Sequence, residues 1–199
     1  MKFTQIPENT FQALQLNAGV ILRNFNPATG ELTKADIIGA TSGGNEFKAE
    51  PSFTDYGEDI DNCPANMKEL KRIDSIEVTM SGSFITIDGA SAVDIAGAAD
   101  FNKTDGKLTP RSDLKDADFK DIWWVGDYSD KNGDRNGGFI AIHLLNALST
   151  GGFSMKADDK AKGTFDYEFT AHYSMEAPDT VPYEIYIKAG TDETAAAKE

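Results

Sequence analysis

Residues 163–174 read Gly-Thr-Phe-Asp-Tyr-Glu-Phe-Thr-Ala-His-Tyr-Ser. Phe165, Tyr167, Phe169, Ala171 and Tyr173 alternate with Thr164, Asp166, Glu168, Thr170, His172 and Ser174. A period of two puts one kind of side chain on each face of a β-strand, so this strand has one greasy face and one wet, acidic face. It is long for a domain of this size, and no recognisable catalytic cluster accompanies it. That combination predicts a building block whose surfaces matter more than any pocket.

The chain has 199 residues, which favours one domain with short extensions. A chain of that length buries roughly 70% of its unfolded surface. Asp and Glu total 33 against 19 Lys and Arg, for a formal charge of −14 spread along the whole chain. Such a surface repels nucleic acid and anionic lipid, which argues against a nonspecific DNA-gripping role. The single cysteine, Cys63, allows no internal disulfide and, with two histidines, no structural zinc site. No apolar run reaches signal-peptide or membrane-span length. The expectation is synthesis and assembly in a cytoplasm, with no membrane partner.

Turn signals divide the chain. A first strand is expected over Gly19–Phe25, closed by Asn26-Pro27-Ala28-Thr29-Gly30. A return strand follows over Glu31–Ile38, then a break at Thr41–Gly44 and a weaker strand over Asn45–Thr54, interrupted by Pro51. Residues 55–71 lack clean periodicity and read as a long loop, either an idle surface loop or an arm that packs on a neighbouring subunit. Asp74–Ile87 is a second long two-faced strand: Ile76, Val78, Met80 and Phe84 share one side, Glu77, Thr79, Ser81 and Ser83 the other. Beyond Gly82, Ile85 and Ile87 fall on the opposite side, which predicts a bulge or bend there. The one helix is expected after Ser91, capped through Asp94, with Ala92, Ile95, Ala96 and Ala99 as its apolar stripe. Phe101–Asp118 reads as loop. Strands are expected over Asp121–Tyr128, Phe139–Leu148, Phe153–Met155 and Pro182–Lys188, and residues 190–199 as a flexible tail. About seven or eight strands with one short helix make the chain mainly β: an antiparallel β-sandwich or partial barrel with a flanking α-helix, a single domain over 1–189.

Candidate chemistry is thin. Asp130, Asn132 and Asp134 alternate as in a calcium loop, but Arg135 stands where the glycine belongs and Ala141 where the bidentate Glu belongs. His143 and His172 have no nucleophile motif beside them. His172 reads as a solvated histidine and His143 as a packed or interfacial one. Asp166 and Glu168 are neighbours on one strand face, as a glycosidase pair would be, but carboxylates are abundant here. Trp123, Trp124 and Tyr128 offer a carbohydrate platform, although adjacent residues of a strand point to opposite faces. No cofactor and no catalytic residue is assigned.

The segments "NAGVILRNFNPATGEL", "GATSGG…PSFTDYGEDIDNCP…KEL", "IEVTMSGSFITI" and "LSTGGFSMKADDKAKGTFDYEFTAHYS…DTVPYEIYI" occur in this order. Together they resemble the major tail proteins, or tail tube proteins, of long-tailed bacteriophages and prophages of Gram-positive bacteria. The resemblance covers roughly Leu16 to Lys188. It implies a structural virion protein without enzymatic activity. Such proteins form rings, typically hexameric, whose inner strands join around a lumen. The rings stack into a hollow tail through which DNA leaves without specific binding. The implied partners are further copies of the chain and tail proteins such as the tape measure and tail terminator. A long loop mediates stacking in that family, and Phe53, Tyr56, Glu58, Asp59, Ile60 and Asp61 occupy its place here. From the alternation, Glu77, Asp166 and Glu168 are the expected lumen-facing residues. Ile76, Val78, Phe165, Tyr167 and Phe169 are the expected inter-subunit strand residues. The alternative function is a β-sandwich carbohydrate-binding module.

Overall fold

The computed structural model describes residues 6–7, 10, 13–128 and 137–190. Among these residues eleven strands and one α-helix follow in order. They are β1 (Gln15–Leu22), β2 (Ile37–Gly39), β3 (Thr41–Asp55), β4 (Lys71–Phe84), α1 (Gly89–Ala96), β5 (Ala99–Asn102), β6 (Lys107–Pro110), β7 (Lys120–Tyr128), β8 (Gly138–Ser149), β9 (Ser154–Lys156), β10 (Thr164–Thr170) and β11 (Tyr183–Lys188). All pairings are antiparallel. The architecture is mainly β with one helix, as expected.

The strands run β2-β1-β7-β8-β10-β4-β3, with β11 added to β8 and β9 added to β10. Strand β8 makes this path into two layers. Its first half pairs with β7 and β11. Its end, Leu148 and Ser149, pairs with Thr170 and Phe169 of β10. The change occurs at Asn146, which has a left-handed φ of 49° and sits in a register shift against β7. Asn146 is held there: its N–H donates to Asp121 Oδ1 at 3.2 Å and its Nδ2 to His172 O at 3.3 Å. A bulge of this kind bends a strand and lets it serve two sheets.

The main core lies between the layers. Ile21, Ile38, Ile122, Leu144 and Ala147 from the first layer meet Val78, Met80, Phe84, Tyr167 and Phe169 from the second, with Ile95 of α1 closing one end. A second, smaller core covers the far side of the first layer. There Phe25 packs on Trp123 and Phe139, at ring separations of 5.7 and 5.3 Å. Trp123 and Trp124 therefore do serve opposite faces.

Several elements differ from expectation. Helix α1 is capped by Asp88, not Ser91. Ser91 donates its N–H to Asp88 Oδ1 at 2.7 Å, and its Oγ accepts the N–H of Asp88 at 2.8 Å. Asp94 is instead buried, clamped by Arg23 at 2.8 Å and Lys120 at 2.6 Å. Ala99 lies beyond the helix, in β5, and residues 99–110 form a small hairpin rather than loop. Strand β4 pairs with β10 without interruption from Thr79 to Phe84, while on its other side a bulge at Gly43 and Gly44 of β3 lies opposite Gly82 and Ser83, so the irregularity expected at Gly82 sits in the neighbouring strand. A Cβ at Gly82 would lie 2.5 Å from the Tyr167 hydroxyl, so the glycine is required by close packing.

Candidate assembly surface

The second layer, β3-β4-β10-β9, has one face in the core and one in solvent. Register decides which side chains share the outer face. Glu46 is opposite Ser81, Lys48 opposite Thr79 and Glu50 opposite Glu77 on the β3 side. Asp166 is opposite Ser83 and Glu168 opposite Ser81 on the β10 side. Asp166 also faces Ser154 of β9, and Thr164 faces Lys156. Glu77, Asp166 and Glu168 thus lie on one exposed face of one sheet, joined by Glu46 and Glu50. Lys48 and Lys156 are cations on this face, and Arg72, opposite Thr54, follows toward the end of the β3–β4 hairpin.

The face is pre-ordered by short polar contacts. Ser83 Oγ donates to Asp166 Oδ1 at 2.6 Å, and Thr150 Oγ1 to Glu168 Oε1 at 3.2 Å. Thr150 also shares a 2.7 Å hydrogen bond with Thr170. Glu50 and Glu77 are like charges directly opposite each other, an arrangement that costs energy unless screened. Lys48 supplies the screening. It contacts Glu50 at 2.8 Å, and that hydrogen bond, with the fields of Glu50, Glu46 and Glu77, raises its pKa.

Strand β3 ends the path, so beyond its start one edge is free. Near the start it is tied down: Asn45 Nδ2 donates to Ala18 O at 2.7 Å, and the Tyr167 hydroxyl donates to Asn45 Oδ1. Burial raises the Tyr167 pKa. From Glu46 onward, no strand among the described residues pairs with the outer edge of β3. At the other border of this layer the three-residue β9 pairs with the start of β10.

The β3–β4 hairpin runs past the sandwich as an arm. Phe53, Tyr56, Ile60, Met67 and Ile73 are exposed along it, as are Glu58, Asp59 and Asp61. The arm is an ordered device. Asp55 Oδ1 accepts the Gly57 N–H at 2.9 Å and Oδ2 accepts the Asn66 N–H at 2.8 Å, spanning the tip. Those two backbone donors hold the Asp55 carboxyl below its ordinary value. Tyr56 N–H donates to Leu70 O at 3.2 Å and closes the hairpin.

The expected inter-subunit residues are placed otherwise. Val78, Tyr167 and Phe169 are buried in the subunit's own core, and Ile76 and Phe165 pack half-buried against it. Strand β4 is paired on both sides over Thr79–Phe84 but only with β3 from Lys71 to Glu77, and β10 pairs with β4 along one side and with β9 and β8 at the two ends of the other. The longest free edge of this layer belongs to β3, which reads from its sequence as a broken, weaker strand. The alternation Glu46-Phe47-Lys48-Ala49-Glu50 was the signal that would have found it.

No family model matches the chain, and no curated protein matches it. The fold is similar to a solved structure described as the virion of a native gene transfer agent particle. The two share 8% identity over 86% of this chain and 96% of that one, with a TM-score of 0.42. A superposition that loose carries no argument about what this chain does.

The remaining candidate residues do not gather into one site. Trp123 is buried, Trp124 donates Nε1–H to Ala18 O at 2.9 Å from the other face, and Tyr128 is half-buried. His172 is half-buried, with Nδ1 3.2 Å from Asn146 O and its ring edge-on to Phe119, rather than free in solvent. His143 is buried and stacks on Trp123 at 3.8 Å, between Asp121 and Glu184, each at 3.3 Å. Glu184 is held below its ordinary value, first by the Tyr186 hydroxyl at 2.6 Å and then by His143. The calcium-like run over Asp130, Asn132 and Asp134 and the tail over 191–199 lie outside the described residues. No helix among the described residues is long and apolar enough to cross a membrane.

Proposed function

We propose that this chain is a structural virion subunit that assembles into stacked rings forming a phage tail tube, a conduit for DNA. The observation that carries this reading is the free edge of β3 on a layer whose outer face has more acids than bases. An open strand edge is a template for another strand, and a copy of the same chain can supply it. Pairing β3 of one copy with the β9 border of the next is head-to-tail, so it closes a ring when its rotation allows. The acidic outer face, with Glu77, Asp166 and Glu168, then lines the lumen. Carboxylates repel phosphates, so a duplex passes without being held. The apolar arm, Phe53 to Ile73, then reaches the adjoining ring. In this reading the further partners are other tail components such as the tape measure and tail terminator.

Negative-stain microscopy of concentrated protein tests the whole reading, with rings and tubes expected. Replacing residues 57–70 by an Asn-Gly turn, which suits a two-residue hairpin, separates the two contacts. Rings are expected to persist while tubes are lost. Protein that stays monomeric at all concentrations, or tubes that survive loss of the arm, would overturn it.

A further inference from the structure

Strand β11 is also an edge. It pairs with β8 over Tyr183–Lys188, and no described strand pairs with its other side. Unlike β3, it carries a sequence matched about its own centre. Glu184-Ile185-Tyr186-Ile187-Lys188 has an isoleucine on each side of Tyr186, then an acid on one flank and a base on the other. Ile185 and Ile187 are 48% and 65% exposed on one face. Glu184 and Lys188 are exposed on the other, and the Tyr186 hydroxyl orients Glu184 at 2.6 Å.

We infer that two copies of the chain join edge to edge through antiparallel β11 strands, centred on Tyr186. In that register Glu184 stands opposite the partner's Lys188, and Lys188 opposite the partner's Glu184. Ile185 stands opposite the partner's Ile187 twice over. Opposite charges and β-branched pairs at directly facing positions stabilise a sheet. The competing arrangements are worse. A parallel pair in register sets Glu against Glu and Lys against Lys. A register centred between residues puts the apolar face of one copy beside the polar face of the other. Centring on Ile185 leaves Lys188 facing Pro182, which has no N–H to donate.

The contact is twofold and closes after two copies. It is therefore distinct from the head-to-tail contact of a ring and stands whether or not tubes form. A subunit held this way keeps its β3 edge open while β11 is covered.

Cross-linking reads the register directly. In a Cys63→Ser background, Tyr186→Cys is expected to form a disulfide-linked dimer under mild oxidation, and Glu184→Cys alone much less. Sedimentation of the unmodified chain should show a monomer–dimer equilibrium. Lys188→Glu should weaken it by about tenfold or more, since two attractive pairs become two repulsive ones. Ile187→Asp should weaken it through the other face, with unchanged melting temperature as the check on folding. Three results would overturn the inference: a monomer throughout, a dimer indifferent to Lys188→Glu, or cross-linking at 184 as efficient as at 186. Microscopy on the same samples keeps it separate from the tube reading, because tubes with no 186 cross-link sink only the dimer.

Discussion

Gly82 shows how one residue couples two strands. Its missing side chain is the space the Tyr167 ring occupies, with the hydroxyl 2.5 Å and Cζ 2.9 Å from where a Cβ would stand. Tyr167 in turn stacks on Phe84 at 4.3 Å and reaches across to Asn45. Gly82→Ala is expected to destabilise the fold by about 1–3 kcal/mol, the usual cost of overpacking a filled core. Because the hydroxyl is the nearest atom, Tyr167→Phe should offset part of that loss, so the two changes together cost less than their sum. Urea unfolding of the single and double variants measures the coupling. Strictly additive losses would show that the hydroxyl is not what Gly82 accommodates. From the sequence this glycine reads as a bend, because an interrupted apolar row looks alike whether the chain turns or a neighbour fills the gap. The registers separate the two: β4 runs unbroken against β10, and the bulge opposite Gly82 belongs to β3.

Among elements, the arm depends most on a single carboxylate. Asp55 is held below its ordinary value by the amides of Gly57 and Asn66. A carboxyl depressed in the folded arm stabilises it at pH above the ordinary carboxylate range. That contribution is lost as pH falls through the depressed value. The Gly57 and Asn66 amide resonances should therefore titrate together, with a midpoint under the ordinary ~3.9 of an Asp. Asp55→Asn should abolish the transition while leaving core resonances in place. Amides that do not move, or that move at an ordinary carboxylate midpoint, would mean that the tip is ordered by something else.

The same hairpin shows what was legible beforehand. The alternation of β4 and β10 put Glu77, Asp166 and Glu168 on polar faces correctly, because a period of two is a local property. Strand β3 was harder, since Gly43, Gly44 and Pro51 all read as breaks. Pro51 is tolerated because β3 is an edge strand, the place where a missing N–H costs least. Which edge stays open depends on strand order, and strand order is set by pairings far apart in sequence. For that reason the alternation alone does not distinguish the buried Val78, Tyr167 and Phe169 from contacts between subunits.

For the whole molecule, charge and exposed apolar surface pull in opposite directions. Each copy carries a formal −14, and bringing copies together around a lumen crowds Glu46, Glu50, Glu77, Asp166 and Glu168 of every copy. Lys48 relieves one point of that crowding, beside Glu50. The arm and the uncovered isoleucines favour contact, and that attraction does not require salt. The balance should therefore turn on screening, whose range is about 10 Å at 0.1 M ionic strength. Dilute protein at low salt is expected to remain unassembled, and light scattering should rise with ionic strength. Two salts distinguish the forces. If relief of repulsion decides assembly, sodium chloride and sodium sulfate should give the same curve at matched ionic strength. If burial of the arm decides it, sulfate should act at lower ionic strength, because it strengthens apolar burial by exclusion from the surface. Scattering that stays flat or falls across either series would remove charge repulsion as the brake. Assembly would then have to be limited by the geometry of the β3 edge itself, where Pro51 and the bulge at Ser52 and Phe53 already interrupt the ladder.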